Sequence, residues 1–175
     1  KISAIDIRYA KAMGRSIKLL ATSKKTKDGY AAMVAPYLLS AANPLFSVSD
    51  VYNAIFVHGN VLGDAMFYGS GAGKLPTASA VVADIVEMAK HLEINIAVEW
   101  SSKKMQLSDY KELENQFFVR TSSAKEDIEK AFQNVSYVEL SDATGEVGFV
   151  TETMTEADYE KAAAALDVIQ MIRVA

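Results

Sequence analysis

Residues Phe67 to Ile85, FYGSGAGKLPTASAVVADI, hold the pattern most able to do chemistry. Gly69, Gly71 and Gly73 alternate with small residues, Lys74 follows, and Pro76 leads into a helical periodicity. Glycines let backbone approach a ligand closely. A glycine-rich turn feeding a helix N-terminus also turns unpaired N–H groups toward an anion. The chemistry would be phosphate binding, and two familiar forms of it are excluded by spacing. A G-x-x-x-x-G-K-[ST] loop ending at Gly73-Lys74 would need glycine at Tyr68 and a hydroxyl at Leu75. A G-x-G-x-x-G fingerprint begun at Gly69 meets Lys74 at its third glycine. A turn that only makes a close crossing would use the same glycines, so the pattern leaves ligand loop and tight turn equally open.

Other reactive residues form no constellation. His58 and His91 lie far apart, with no histidine or carboxylate at a zinc-ligand spacing, and both read as structural or solvated. No metal site is expected. No G-x-S-x-G elbow supports a serine nucleophile, and with no cysteine there is no thiolate ligand, thiol nucleophile or disulfide. Asp6 and Lys11 offer an acid and a base, but i,i+5 spacing sets them about 140° apart on a helix. They read as a solvated ion face. The scattered methionines Met33, Met66, Met88, Met105, Met154 and Met171 read mostly as packing.

The elements that must position the glycine run are legible from periodicity. Ile5 to Met13 reads as a short helix closed by Gly14. Ser16–Lys25 and Gly29–Leu39 read as strands joined by the turn Thr26-Lys27-Asp28-Gly29. Ser49 or Asp50 carries a capping signal. Tyr52–Asn60 and Gly63–Gly71 form a second strand pair, and a helix from about Thr77 to Leu92 follows, with Thr77 or Ser79 as candidate caps. Its apolar stripe is Val81, Val82, Ile85, Met88, Ala89 and Leu92, opposite Asp84, Glu87, Lys90 and His91. Ile94–Trp100 alternates like a strand. The last sixty or so residues run strand (QFFVRT), helix (SAKEDIEKAFQ), strand (VSYVELSD), strand (EVGFVTETM), helix (EADYEKAAAAL) and strand (VIQMIRV). That order is a ferredoxin-like βαββαβ unit. The expected class is α+β: a partial mixed-sheet region over 1–92, a polar linker over 93–115, and the ferredoxin-like domain over 116–175.

With 175 residues, half of them hydrophobic and 23% charged, the composition is globular. The net charge of −4 and pI near 5.2 give no reason to expect nucleic acid or an anionic membrane as partner. No apolar run reaches the ~18 residues of a membrane span, and a cytoplasmic protein is compatible with all of this. The opening Lys1-Ile2-Ser3, already inside a periodic pattern, reads as part of a longer protein.

NAIFVHGNVLGDAMFYGSGAGKLPTASAVVADI, Asn53 to Ile85, strongly resembles homoserine dehydrogenase. ISAIDIRYAKAMGRSIKLLA, Ile2 to Ala21, is similar to the family stretch I-x-x-I-x-x-x-D-I-x-Y-A-x-x-L-G-x-x-I-K-L-L-A, and the C-terminal unit resembles the ACT domain of bacterial members. The resemblance implies reversible hydride transfer between L-homoserine and L-aspartate 4-semialdehyde with NAD or NADP, a step toward threonine and methionine. It implies that Gly69, Gly71, Ala72, Gly73 and Thr77 line the cofactor side, and that the chain pairs as a homodimer. It also implies that the Rossmann domain, the catalytic lysine and the glutamate that binds the homoserine amino group precede Lys1. No catalytic residue is then expected among these 175, and the chain alone is expected to be inactive. Lys18 matches a family lysine read as structural.

Two departures bear on function. The family has G-D where this chain has Gly59-Asn60, which removes any charge role of that aspartate. ACT domains that bind amino acids commonly carry D-x-P-G after the first strand; here Thr121–Asp127 has no glycine. The rival reading is a non-catalytic ACT-type regulatory or oligomerisation module.

Overall fold

A computed structural model of the chain describes residues 1–94, 97–140 and 143–175. Its first half runs α1 (Ala4–Ala12), β1 (Arg15–Lys25), β2 (Tyr30–Ser40), β3 (Tyr52–Gly59), β4 (Gly63–Ser70) and α2 (Lys74–Lys90). Its second half runs β5 (Glu114–Thr121), α3 (Lys125–Ala131), β6 (Ser136–Val138), β7 (Val147–Val150), β8 (Met154–Thr155), α4 (Glu156–Ala163) and β9 (Val168–Val174). Residues Lys1–Phe46 and Met105–Ala175 form one compact unit, and Ser47–Lys104 forms another.

The larger unit is built on a mixed sheet in the order β1-β2-β9-β5-β7-β6, with β8 pairing the start of β5. Strands β9, β5, β7 and β6 are antiparallel neighbours. Numbered within the C-terminal segment they run 4-1-3-2, the ferredoxin-like arrangement expected from the element order. The β1–β2 hairpin joins this sheet through a short parallel contact, Tyr37 opposite Arg173 and Leu38 opposite Val174. Residues expected to be linker also meet β2: Tyr30 N–H donates to Gln106 O at 3.1 Å, and Ser108 N–H to Tyr30 O at 3.0 Å. The expected boundary over 93–115 divides the chain in sequence, whereas in space Met105 onward groups with the N-terminal hairpin.

Period-2 alternation explains the layering. Phe117 and Val119 of β5 join Ile128 of α3 and Tyr159 of α4 in one core. Phe118, between them, points to the other face and packs with Tyr9 and Ala10 of α1, Leu38 and Ile172. All three β5 residues are fully buried, and each such side chain contributes roughly 1.5–3 kcal/mol. The strand therefore reads as a continuous apolar run, because helices cover it on both sides.

Several local expectations shift. Tyr52 N–H bonds Ser49 O in a turn and Asp50 adopts φ 59°, so the Ser49-Asp50 signal leads into β3 and not into a helix. Within Ile94–Trp100 none of the described residues is in a strand; Asn95 and Ile96 lie outside the described residues. The strand expected over Val135–Asp142 narrows to Ser136–Val138, with Ser141 and Asp142 outside the described residues. Met33, Met154 and Met171 pack against cores, but Met66, Met88 and Met105 are exposed. The α2 stripe is exposed too: among its described residues the smaller unit has one hairpin and one helix, and no α2 residue is buried. Among the described residues no helix is long and apolar enough to cross a membrane.

Candidate functional site

The β3–β4 hairpin closes between Gly59 and Gly63, and its register sets Tyr52 opposite Ser70 and Asn53 opposite Gly69. Tyr52 and Tyr68 stack at 5.0 Å with an interplanar angle of 13°. After Ser70 the chain crosses Gly71 and Ala72, reaches Gly73 and enters α2 at Lys74. Gly73 occupies the N-cap position at φ 112°, a conformation that side chains rarely adopt. At Gly71 a Cβ would meet the carboxamide of Asn53, the outer end of an exposed side chain. A shallow groove of about 300 Å³ lies alongside, lined by Asn53, Ala54, Ile55, Phe67, Tyr68 and Gly69 to Gly71.

The expected site residues thus fall on one continuous, exposed stretch. Gly69 ends β4 beside Ser70, Gly71 and Ala72 form the crossing, Gly73 caps α2, and Thr77 lies inside the helix. Because α2 begins at Lys74, Thr77 and Ser79 cannot cap it; Thr77 N–H instead donates to Gly73 O at 3.2 Å. Among the described residues no side chain caps this end. The N–H groups of Lys74 and Leu75 precede that first intrahelical bond, and Pro76 has none to offer. With the helix dipole and the Lys74 ammonium, the arrangement suits an anionic or polar group approaching the backbone. Asn53 was not among the sequence candidates. The cross-strand register of the hairpin is the signal that would have found it.

The histidines stay apart from this loop. His58 pairs across the hairpin with Asp64, Nδ1 to Oδ1 at 2.5 Å, and both are exposed. His91 lies 3.1 Å from the Glu87 carboxylate, one turn back on α2. Among the described residues no group of three His, Cys, Asp or Glu could hold a metal ion.

Asp6 corrects an expectation. It is buried, not part of a solvated ion face, and only Lys11 is exposed. Ser3 donates to the Asp6 carboxylate from its N–H and its Oγ, each at 2.7 Å, and Arg120 Nη1 donates to the other oxygen. Arg120 also forks onto Glu146, Nε to Oε1 at 3.1 Å and Nη2 to Oε2 at 2.6 Å, and lies over the Tyr9 ring. Burial opposes ionisation of Asp6, but the Ser3 donors and the guanidinium outweigh it and hold the carboxyl below its ordinary 3.8. This cluster fastens α1 to β5 and is structural in its geometry. Lys18 is half-buried on β1.

Residues 1–86 match the family model for homoserine dehydrogenase, a span that includes the glycine run and the start of α2. The chain belongs to the homoserine dehydrogenase family. It is 48% identical over 95 residues to the homoserine dehydrogenase of Corynebacterium glutamicum, covering 51% of this chain and 21% of that protein. With the Helicobacter pylori homoserine dehydrogenase it shares 37% identity over 120 residues, 69% of this chain and 28% of the relative. The crystal structure of a homoserine dehydrogenase from Thiobacillus denitrificans superposes with a TM-score of 0.76 at 26% identity, covering 99% of this chain and 46% of that one. A Staphylococcus aureus homoserine dehydrogenase gives 0.71 at 28% identity over 97% of this chain and 44% of its own. The chain spans about half the length of these solved homoserine dehydrogenases and under a third of these two curated relatives.

Proposed function

We propose that this chain takes part in the NAD(P)-dependent interconversion of L-homoserine and L-aspartate 4-semialdehyde, within threonine and methionine biosynthesis. The observation that carries the reading is the exposed Gly69–Gly73 run at the uncapped start of α2, inside the segment that matches the family. A nicotinamide dinucleotide would supply the hydride acceptor or donor. The residues here fit its polar groups: Gly69 to Gly73 are exposed, and the Lys74 and Leu75 N–H groups precede the first bond of α2. Gly69, Gly71, Ala72, Gly73 and Thr77 would hold the cofactor side, orienting it rather than moving a proton. On this reading the dinucleotide fingerprint and the proton-transfer group come from outside these 175 residues. Residues 116–175 serve as an ACT-like unit for packing, and the chain assembles as a homodimer.

The test is homoserine-dependent reduction of NAD⁺ and NADP⁺. The full-length enzyme turns over, the purified 175-residue chain does not, and Gly71→Val in the full-length enzyme raises the cofactor KM. Turnover by the chain alone, or normal cofactor binding by Gly71→Val, refutes the assignment.

A further inference from the structure

Asn53 stands opposite Gly69 in the β3–β4 ladder, and Gly71 is its diagonal neighbour two residues on. Cross-strand partners project to the same face of a sheet. With no side chain at Gly69 or Gly71, the carboxamide of Asn53 is the side chain beside Gly71 at this end of the hairpin. The two glycines are not equivalent. A Cβ at Gly69 would meet nothing within 4 Å, whereas one at Gly71 would meet Asn53 Nδ2 and, at 3.3 Å, Asn53 Cγ. The volume that a side chain at position 71 would fill is therefore occupied from within the chain. Two residues later Gly73 turns the backbone at φ 112° into α2.

We propose that Asn53 is the positioning residue of the glycine loop: its carboxamide supports the backbone at Gly71 and so sets the path by which Ala72 and Gly73 reach α2. The proposal rests on the cofactor-side reading given above. A Cβ at Gly71 displaces the carboxamide, which is exposed and can swing aside, so the effect is read in cofactor binding and not in folding. Gly71→Ala and Asn53→Ala then remove the same contact by opposite routes, and their effects do not multiply.

The experiment is a double-mutant cycle in the full-length enzyme, using Asn53→Ala, Gly71→Ala and the pair. Equilibrium binding of NADH and NADPH is followed by nicotinamide fluorescence, with cofactor KM, kcat and thermal midpoint measured alongside. Each single variant weakens binding about tenfold, within the range for residues in contact, and raises KM while kcat and the midpoint hold. The pair is no weaker than either single variant. In the protein without cofactor, amide exchange at Gly71 to Leu75 speeds up in all three variants. The strand-compatible Asn53→Thr is run in parallel and behaves as Asn53→Ala, so that a folding failure of one substitution does not decide the result.

A multiplied loss of about a hundredfold in the pair overturns the proposal, as does unchanged binding in both Asn53 variants while Gly71→Ala is impaired. In those cases Gly71 meets the cofactor directly and the cofactor-side reading stands. If every variant, Gly71→Val included, binds normally, both readings fall.

Discussion

Replacing Arg120 with methionine keeps the length and apolar bulk of the side chain but removes the cation that Asp6 and Glu146 share. The Arg120 and Asp6 side chains are 6% and 1% exposed, and Glu146 is 9% exposed. The change leaves two buried carboxylates without the cation they share. Breaking a buried ion pair in this way costs about 3–5 kcal/mol, against a total stability of roughly 5–15 kcal/mol for an ordinary domain. At about 2–4 °C per kcal/mol for a chain of this size, the midpoint falls by roughly 6–20 °C. The pH dependence follows from the lowered Asp6 carboxyl. A carboxylate with a depressed native pKa contributes stability above its unfolded value, about 3.9, and loses it as pH falls through the native value. In Arg120→Met the Asp6 carboxylate loses that partner and gains by protonation, so the deficit against the parent is full near neutrality and narrows below about pH 4. Urea and thermal unfolding followed by circular dichroism across this range measure it, with Arg120→Lys expected to recover part of the loss. A deficit under ~0.5 kcal/mol at neutral pH, the size of an ordinary surface substitution, refutes the reasoning. So does a deficit that persists unchanged in acid.

Tyr159 lies in the β5–α4 core, where burial, reinforced by the Glu156 charge, pushes its phenol up to about 12. In alkaline titration the difference between the parent and Tyr159→Phe should show no phenolate signal below about pH 11; a phenolate appearing near pH 10 would show that the ring is hydrated. Threonine is expected to bind weakly or not at all to the C-terminal unit. Thr121 Oγ1 donates to Asp167 O at 2.8 Å, Asp167 N–H donates to Ser123 Oγ at 2.9 Å, and Ser122 N–H donates to Asp167 O at 3.2 Å, so the turn that could hold an effector carboxylate is engaged internally. Saturable calorimetric binding at sub-millimolar threonine, a typical effector range, would reverse that expectation. The chain is expected to sediment as a homodimer, given exposed apolar residues such as Leu19 and Val34 on the β1–β2 hairpin; a monomer at tens of micromolar, an order-of-magnitude choice for such an interface, would count against it.

Much of the fold is legible in the residues because its signals are local. The βαββαβ order follows from segments of alternating and helical period, and both hairpins follow from the polar and glycine turns that close them. The glycine run likewise shows its own loop and the helix beyond it. What is less legible is where a helix starts when no side chain caps it: α2 begins at Lys74, and with Gly73 as N-cap nothing in residue type separates it from a start at Thr77. The short strand β8 is illegible for a related reason, since two residues carry no period.

Asp6 shows where local reading ends. On a helical wheel it is a charged residue beside other charged residues; Ser3 supplies donors from three residues away, but the cation that faces it, Arg120, is 114 positions away. The joining of β2 to β9 is of the same kind, resting on two residue pairs between distant parts of the chain. Gly71 is the mixed case: its residue type was plain, but its neighbour was Asn53, reached through the hairpin register. The sequence by itself determined the elements, their order and the family resemblance, because periodicity, turn chemistry and motif spacing act over a few residues. Tertiary structure alone decided which buried charge meets which, which strand extends the sheet, and which side chain supports the loop. Those contacts join residues far apart in the chain, and no local pattern encodes the partner.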